Sequence, residues 1–153
     1  MYKINDYVIC PGYGLGKIIN IEFKNVSEED TSMYLIQIID KEVKLFIPTN
    51  SKDQIRSLSN EVEVFNVLAF LKKDFFPSSL STWNRRQKEY IAKIRTGSLF
   101  AIAEVFKELH SIKNKKKLSF GEKKLLEQCK DLLLNEVALV QGNDKELLRE
   151  IFE

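Results

Sequence analysis

The chain has 153 residues, 44% hydrophobic and 30% charged, with a net charge of +2. That length suits one domain or two small ones and the composition reads as soluble and globular. No apolar run approaches the roughly 18 to 20 residues of a membrane helix, and the opening Met1 to Asp6 lacks the apolar stretch of a secretory signal, so a cytoplasmic protein is expected.

Residues 6–58 break and alternate as β-structure does. Tyr7-Val8-Ile9-Cys10 reads as a short strand stopped by Pro11-Gly12-Tyr13-Gly14. Ile18 to Phe23 resumes it, with apolar side chains at Ile19, Ile21 and Phe23. Ser27-Glu28-Glu29-Asp30 reads as a loop or hairpin end. Tyr34 to Ile39 is a third strand, and Asp40-Lys41-Glu42 turns it into Val43 to Ile47. Pro48, which cannot donate to a ladder, ends that strand. Such a run of short strands and tight turns predicts a small curved antiparallel sheet or barrel.

From Asn60 the period becomes helical. Val64, Leu68 and Leu71, with Phe65 beside them, mark a first helix, and Asp74 to Ser81 reads as a loop. Thr82 is placed to cap a second helix with Tyr90, Ile91 and Ile94 on its buried stripe and Gly97 at its end. Ser98 caps a third, with Ile102, Val105, Phe106 and Leu109 at core spacing. Lys113 to Lys117 makes a basic connection. Ser119-Phe120-Gly121-Glu122 then has the spacing of a capping box, and opens a helix with Leu125, Leu126, Cys129, Leu132, Leu133 and Val137. The prediction is an α+β protein, a β module over residues 1–60 and an all-helical module over 61–153.

Charge supports that division. Residues 1–60 carry a net −1 and residues 61–153 a net +3. Within the second module, Trp83 to Lys124 holds twelve Lys and Arg against four Glu. The only tryptophan stands in that stretch beside Arg85, Arg86 and Lys88, and Lys123 and Lys124 open the last helix. Cations there oppose the helix dipole, a placement that an anionic partner would explain. A flat ring among cations suits a protein that holds phosphates and presses an apolar wedge against bases. Taken singly, Trp83 is as readily a core residue and Lys115-Lys116-Lys117 a solvated connection.

Catalytic constellations lack parts. Gly12-Tyr13-Gly14-Leu15-Gly16 is followed by a strand pattern instead of the helix whose N-terminus a phosphate loop needs, so a turn or bulge is expected. His110 is the sole histidine and reads as a surface or core-edge residue, and Glu28 and Glu29 read as solvated. Cys10 and Cys129 have no companions at metal spacing and are expected as reduced thiols. The expectation is a protein that is not an enzyme and holds no cofactor or metal.

On these residues the chain resembles the CarD/CdnL family of bacterial RNA polymerase-binding transcription regulators. The resemblance runs through Asp6 to Gly14, Ile47-Pro48, Trp83-Asn84-Arg85-Arg86-Gln87-Lys88, Ser98 to Leu109, Leu118-Ser119-Phe120-Gly121-Glu122-Lys123 and Asn135-Glu136-Val137-Ala138-Leu139. It implies an N-terminal Tudor-like (SH3-like) domain that docks on the polymerase β subunit, as in the transcription-repair coupling factor. It also implies a helical domain that contacts promoter DNA at the upstream edge of the melted bubble, slowing bubble collapse. By that resemblance Trp83 is the minor-groove wedge, exposed in the free protein, and Arg85, Arg86, Lys88 and Lys123 contact the DNA backbone. Lys24 matches a basic position of the polymerase-binding domain, while Phe46 falls where some members carry arginine, and Pro48 closes the matching strand. A monomer is expected. Two other readings stand beside this one: a module that docks on polymerase without touching DNA, and a Tudor- or SH3-like RNA-binding protein.

Overall fold

The computed structural model describes residues 1–26, 29–73 and 82–142, with the backbone alone over 24–26 and 29–31. The chain divides into two compact units, Met1–Leu58 and Ser59–Glu153. Each has its own apolar core, and together they make an α+β fold, a four-stranded antiparallel sheet followed by four helices.

The first unit is a meander of β1 (Tyr7–Cys10), β2 (Gly14–Val26), β3 (Glu29–Ile38) and β4 (Lys44–Pro48), in spatial order β1-β2-β3-β4. Val8, Cys10, Ile18, Tyr34, Ile36, Ile38, Ile47 and Ile55 form its core. Beyond β4 the chain returns to the outer edge of β1, where Ile9 and Arg56 exchange both backbone hydrogen bonds at 2.9 Å. The turn at 11–13 closes with Tyr13 N–H donating to the Cys10 carbonyl at 2.9 Å, and a strand follows directly. The glycine run is therefore a hairpin. Gly16 has a packing reason: a Cβ there would stand 2.5 Å from Ile36 Cγ2 and 3.4 Å from the Gln37 carbonyl oxygen.

Two strands run further than expected. Glu29 and Asp30 lie in β3 by their backbone, so the acidic stretch is no simple loop at that end; Ser27 and Glu28 lie outside the described residues. The apolar alternation of β2 also departs from the expectation. Register shifts between Ile18 and Asn20, which makes Ile19 the extra residue of a bulge and turns it outward. A one-residue insertion exchanges the two faces of a strand. Ile18 is buried before the bulge and Ile21 packs on the core after it, while Phe23 is left exposed. Pro48 is the last residue of β4 itself, opposite Met33. It is tolerated because its backbone faces away from β3, where no ladder bond is lost.

The second unit comprises α1 (Glu61–Lys72), α2 (Trp83–Arg95), α3 (Leu99–Lys113) and α4 (Phe120–Gln141). The loop expected over Asp74 to Ser81 lies outside the described residues. α1 opens with a capping box of Asn60 and Glu63, and buries Val64 and Val67 with Leu68 and Leu71 packed alongside. Phe65, expected beside that stripe, is exposed. Ser98 caps α3 by accepting from Ala101 N–H, and Ile102, Val105, Phe106 and Leu109 are buried. Gly97, with φ +73°, takes the left-handed turn that separates α2 from α3. The box of Ser119 and Glu122 forms at the start of α4, and Leu126, Cys129, Leu133, Leu134 and Val137 carry its core face.

Two buried ionic side chains tie the helices by their termini. The Lys107 ammonium on α3 donates to the Phe70 carbonyl in the last turn of α1 at 2.5 Å, while lying over the Phe70 ring. The Glu136 carboxylate on α4 accepts from Ser59 N–H at 2.8 Å, where the chain enters α1. Cys10 and Cys129 are free, and burial pushes their thiols up to about 11 and about 12 respectively.

Gly16→Ala should lower stability by about 1–3 kcal/mol, the usual effect of forcing a methyl into a packed site. The midpoint of urea unfolding checks this. Removing the carboxylate in Glu136→Ala should cost about 1–3 kcal/mol, because it strands a buried N–H; thermal melts of the full chain read it.

Candidate nucleic-acid interface

Residues 83–88 and 118–124 are far apart in sequence and meet in the structure through one side chain. Trp83, the first residue of α2, lies on the opening turn of α4. A Cβ built on Gly121 would stand 3.3 Å from Trp83 Cζ2. Gly121 has ordinary helical geometry, so the absent side chain serves the approach of the indole. Arg86 covers the ring from another direction, its Cζ 5.7 Å from the ring centroid, and Tyr90 lies 6.3 Å away. Trp83 is half-buried and packed on the core of the helical unit. The expectation of a largely exposed ring is corrected accordingly. Thr82 is the N-cap by position, but its side chain makes no capping hydrogen bond, so α2 begins on packing instead.

The period of α2 sorts its cations. Trp83, Arg86, Tyr90 and Ile94 follow i, i+3, i+7 and i+11 and face inward, whereas Asn84, Arg85, Lys88 and Glu89 are exposed. Arg86 retains only 14% of its side-chain surface, and its Nη1 lies 4.0 Å from Glu122 Oε2, itself 7% exposed. That burial does not fit the phosphate contact expected of Arg86, and helical spacing from Trp83 was the signal for it. Arg85 is open to solvent and 3.8 Å from Glu89, a surface pair that contributes little. Lys88, Lys123 and Lys124 are exposed, as are Lys115, Lys116 and Lys117 before α4.

Beneath the indole lies a small polar cluster. Arg86 Nε, the Tyr90 hydroxyl and Glu122 Oε2 are buried without a well-aligned hydrogen-bond partner. Burial pushes the Tyr90 hydroxyl upward, the Glu108 carboxylate adds to this, and Arg86 opposes it. For Glu122, burial acts upward but is outweighed. Hydrogen bonds with Ser119 and the charges of Lys116 and Arg86 hold its carboxyl below the ordinary value of 4.5. Its Oε1 accepts from Ser119 N–H at 3.0 Å while Oε2 faces Arg86. One carboxylate therefore closes the cap of α4 and anchors α2.

His110 is half-buried and stacks on Phe106 with ring centroids 5.6 Å apart, the core-edge position expected of it.

In the first unit β4 is an outer strand of the sheet. Ile38 N–H donates to the Val43 carbonyl and Thr49 N–H to the Ser32 carbonyl, each close to 3 Å. By the alternation of an antiparallel ladder, Leu45 and Ile47 also bond to β3, and the backbone of Lys44, Phe46 and Pro48 faces away from it. Phe46 is 47% exposed. Lys24 lies on β2 opposite Thr31, and its side chain is outside the described residues.

The β-meander and the four-helix unit each match a known family model. Residues 2–59 match the CarD-like/TRCF RID domain, which is Tudor-like, and residues 66–153 match the CarD C-terminal domain. The chain belongs to the CarD/CdnL family, transcription regulators that interact with RNA polymerase. It is 28% identical over 144 residues to a Bacillus subtilis (strain 168) protein named "Putative transcription factor YdeB", covering 93% of this chain and 94% of that protein. Among the described residues no helix is long and apolar enough to cross a membrane.

Because Trp83 is half-buried, Trp83→Ala should destabilise the chain by about 1–3 kcal/mol, less than the loss of a full core aromatic. Thermal melts measure it. Glu122 titrates below its unfolded value, so its contribution is complete above pH 4.5 and is lost as pH falls through the lower folded value. Wild type should therefore lose stability more steeply than Glu122→Gln as pH falls from 4.5 through that lower value, by melts taken across pH.

Proposed function

We propose that this protein docks on the RNA polymerase β subunit through residues 1–60 and stabilises the promoter open complex through residues 61–153. The observation that carries the proposal is the meeting of Trp83 with the first turn of α4, which brings the start of α2, with exposed Arg85 and Lys88, to the end of α4 that bears exposed Lys123. Exposed cations in that arrangement suit phosphates, and the uncovered part of the indole suits the minor groove beside a melted step. Arg86 is assigned a positioning part, holding the ring and the α2–α4 joint. Contacts of this sort are weak and sensitive to salt, with little choice of sequence. Tethering to polymerase raises the local concentration of DNA enough for them to act. A wedge that binds melted DNA better than paired DNA shifts the closed–open equilibrium by that difference alone.

The docking proposal rests on β4. The outward face of β4 at Lys44 can add to a partner strand, with the exposed Phe46 ring beside it as an apolar surface and Pro48 limiting how far pairing extends. Lys24 is proposed as a charged contact on the same domain. The protein is proposed to work as a cytoplasmic monomer without catalysing a reaction.

A second reading is favoured by the half-burial of Trp83: a polymerase-docking module in which the indole serves packing alone. Open-complex lifetime separates the two. The variant Arg85→Ala/Lys88→Ala/Lys123→Ala changes only exposed side chains, so it should keep wild-type stability and polymerase retention. Its open complex should decay faster, and its DNA affinity should fall less steeply with salt. An unchanged lifetime would favour the packing reading. A fragment of residues 1–58, which contains a complete core, should retain polymerase in a pull-down. Retention by residues 61–153 alone would reverse the roles of the two units.

A further inference from the structure

The helical unit follows the β unit through a very short stretch of chain that is tied down on both sides. On the β side, Arg56 exchanges both backbone hydrogen bonds with Ile9 at 2.9 Å. Ser57 is held to the same unit. Its hydroxyl pairs with the Tyr2 hydroxyl at 2.9 Å, and its carbonyl accepts from Arg56 Nη1 at 2.9 Å. On the helical side, Ser59 N–H donates to Glu136 Oε2 at 2.8 Å, and both residues are buried. Only Ser57 and Leu58 stand between the two anchors. The peptide steps from Arg56 to Ser59 reach at most about 11 Å.

Glu136 is not needed to start α1. The capping box already closes that helix, with Asn60 N–H donating to Glu63 Oε1 at 3.2 Å and Glu63 N–H to Asn60 Oδ1 at 2.8 Å. Ser59 lies before the N-cap, so its N–H is not among those that the first turn of a helix leaves open. Burying a carboxylate costs free energy unless hydrogen bonds compensate it. This one reaches from α4 to hold a backbone group of the connector. Connector length matters because the effective concentration of a tethered module falls roughly as the −3/2 power of that length, once the two sites can be spanned. We propose that Glu136 is a positioning residue for open-complex stabilisation. By holding Ser59 it keeps the connector at two residues, so docking of the first unit on polymerase confines the helical unit close to the DNA. This rests on the two-part reading given above and adds to it the residue that keeps the tether short.

The test compares full-length variants in open-complex lifetime, polymerase retention, DNA affinity of the free protein and thermal melts. Inserting Gly-Gly between Ser57 and Leu58 leaves both anchors in place and doubles the connector. The lengthening of open-complex lifetime should then fall about threefold, and about eightfold with a longer glycine insert that doubles it again. Retention, free DNA affinity and melting temperature should stay near wild type in both. Glu136→Gln keeps an amide oxygen to accept from Ser59 N–H and should retain the lifetime. Glu136→Ala, assayed below its melting temperature, should shorten it while its free DNA affinity holds. Inserts that give a wild-type or longer lifetime overturn the inference. Loss of retention or of free DNA affinity by the inserts also overturns it, since the connector would then act within one unit. A wild-type lifetime for Glu136→Ala removes Glu136 from the role. If wild type itself does not lengthen the lifetime, the open-complex reading fails and this inference with it.

Discussion

The approach of the Trp83 indole to the Gly121 backbone is the contact on which the basic face of the helical unit depends. Glycine within a helix costs about 1 kcal/mol relative to alanine, so its place in the first turn of α4 calls for a compensating contact. A tryptophan supplies one, because its ring carries the largest apolar surface of any side chain. With the ring seated there, the start of α2 cannot slide along α4 without opening a gap beneath the indole. The same contact brings together the starts of the two helices that bear Arg85, Lys88, Lys123 and Lys124.

Arg86 and Glu122 reinforce that joint at some electrostatic expense. Removing a guanidinium and a carboxylate from water is costly unless each finds compensation, and breaking such a pair leaves a buried charge. Glu122 meets part of the cost through its bonds with Ser119, which α4 requires for its cap in any case. The cap of one helix and the orientation of the next thus share a carboxylate, and disturbing either disturbs both. Lys107 and Glu136 do similar work at the two ends of α1. The ionic side chains of this unit therefore fall into an inward set that joins helix ends and an outward set exposed to solvent.

The β unit is arranged on other grounds. Its residue count is small, and the bulge at Ile19 lets one long strand contribute to the core on both sides of a change in face. β1 is paired by the return of the chain at Arg56, which leaves β4 as the side from which a sheet can be extended. Proline at the end of β4 restricts that extension, a common restraint on edge pairing.

Periodicity and punctuation in the sequence determined the order of four strands and four helices, the change from β to helical structure near residue 60, and most of both cores. The caps at Ser98 and Ser119 were equally plain, because hydrogen bonds between residues three apart depend on local chain geometry alone. The concentration of charge around Trp83 was legible for the same reason: it is a property of composition. What tertiary structure decided was the direction in which particular side chains point. Ile21 and Phe23 share a face beyond the bulge at Ile19, yet Ile21 packs on the core and Phe23 is exposed, and Phe65 lies off the face that α1 turns to its neighbours. The packing of α2 into the helical core drew Trp83 and Arg86 inward, while Phe120 stays in solvent. Burial depends on which elements meet, and an isolated residue pattern contains no record of its neighbour; helical spacing puts Arg86 on the face of Trp83, and only the tertiary fold makes that face the covered one.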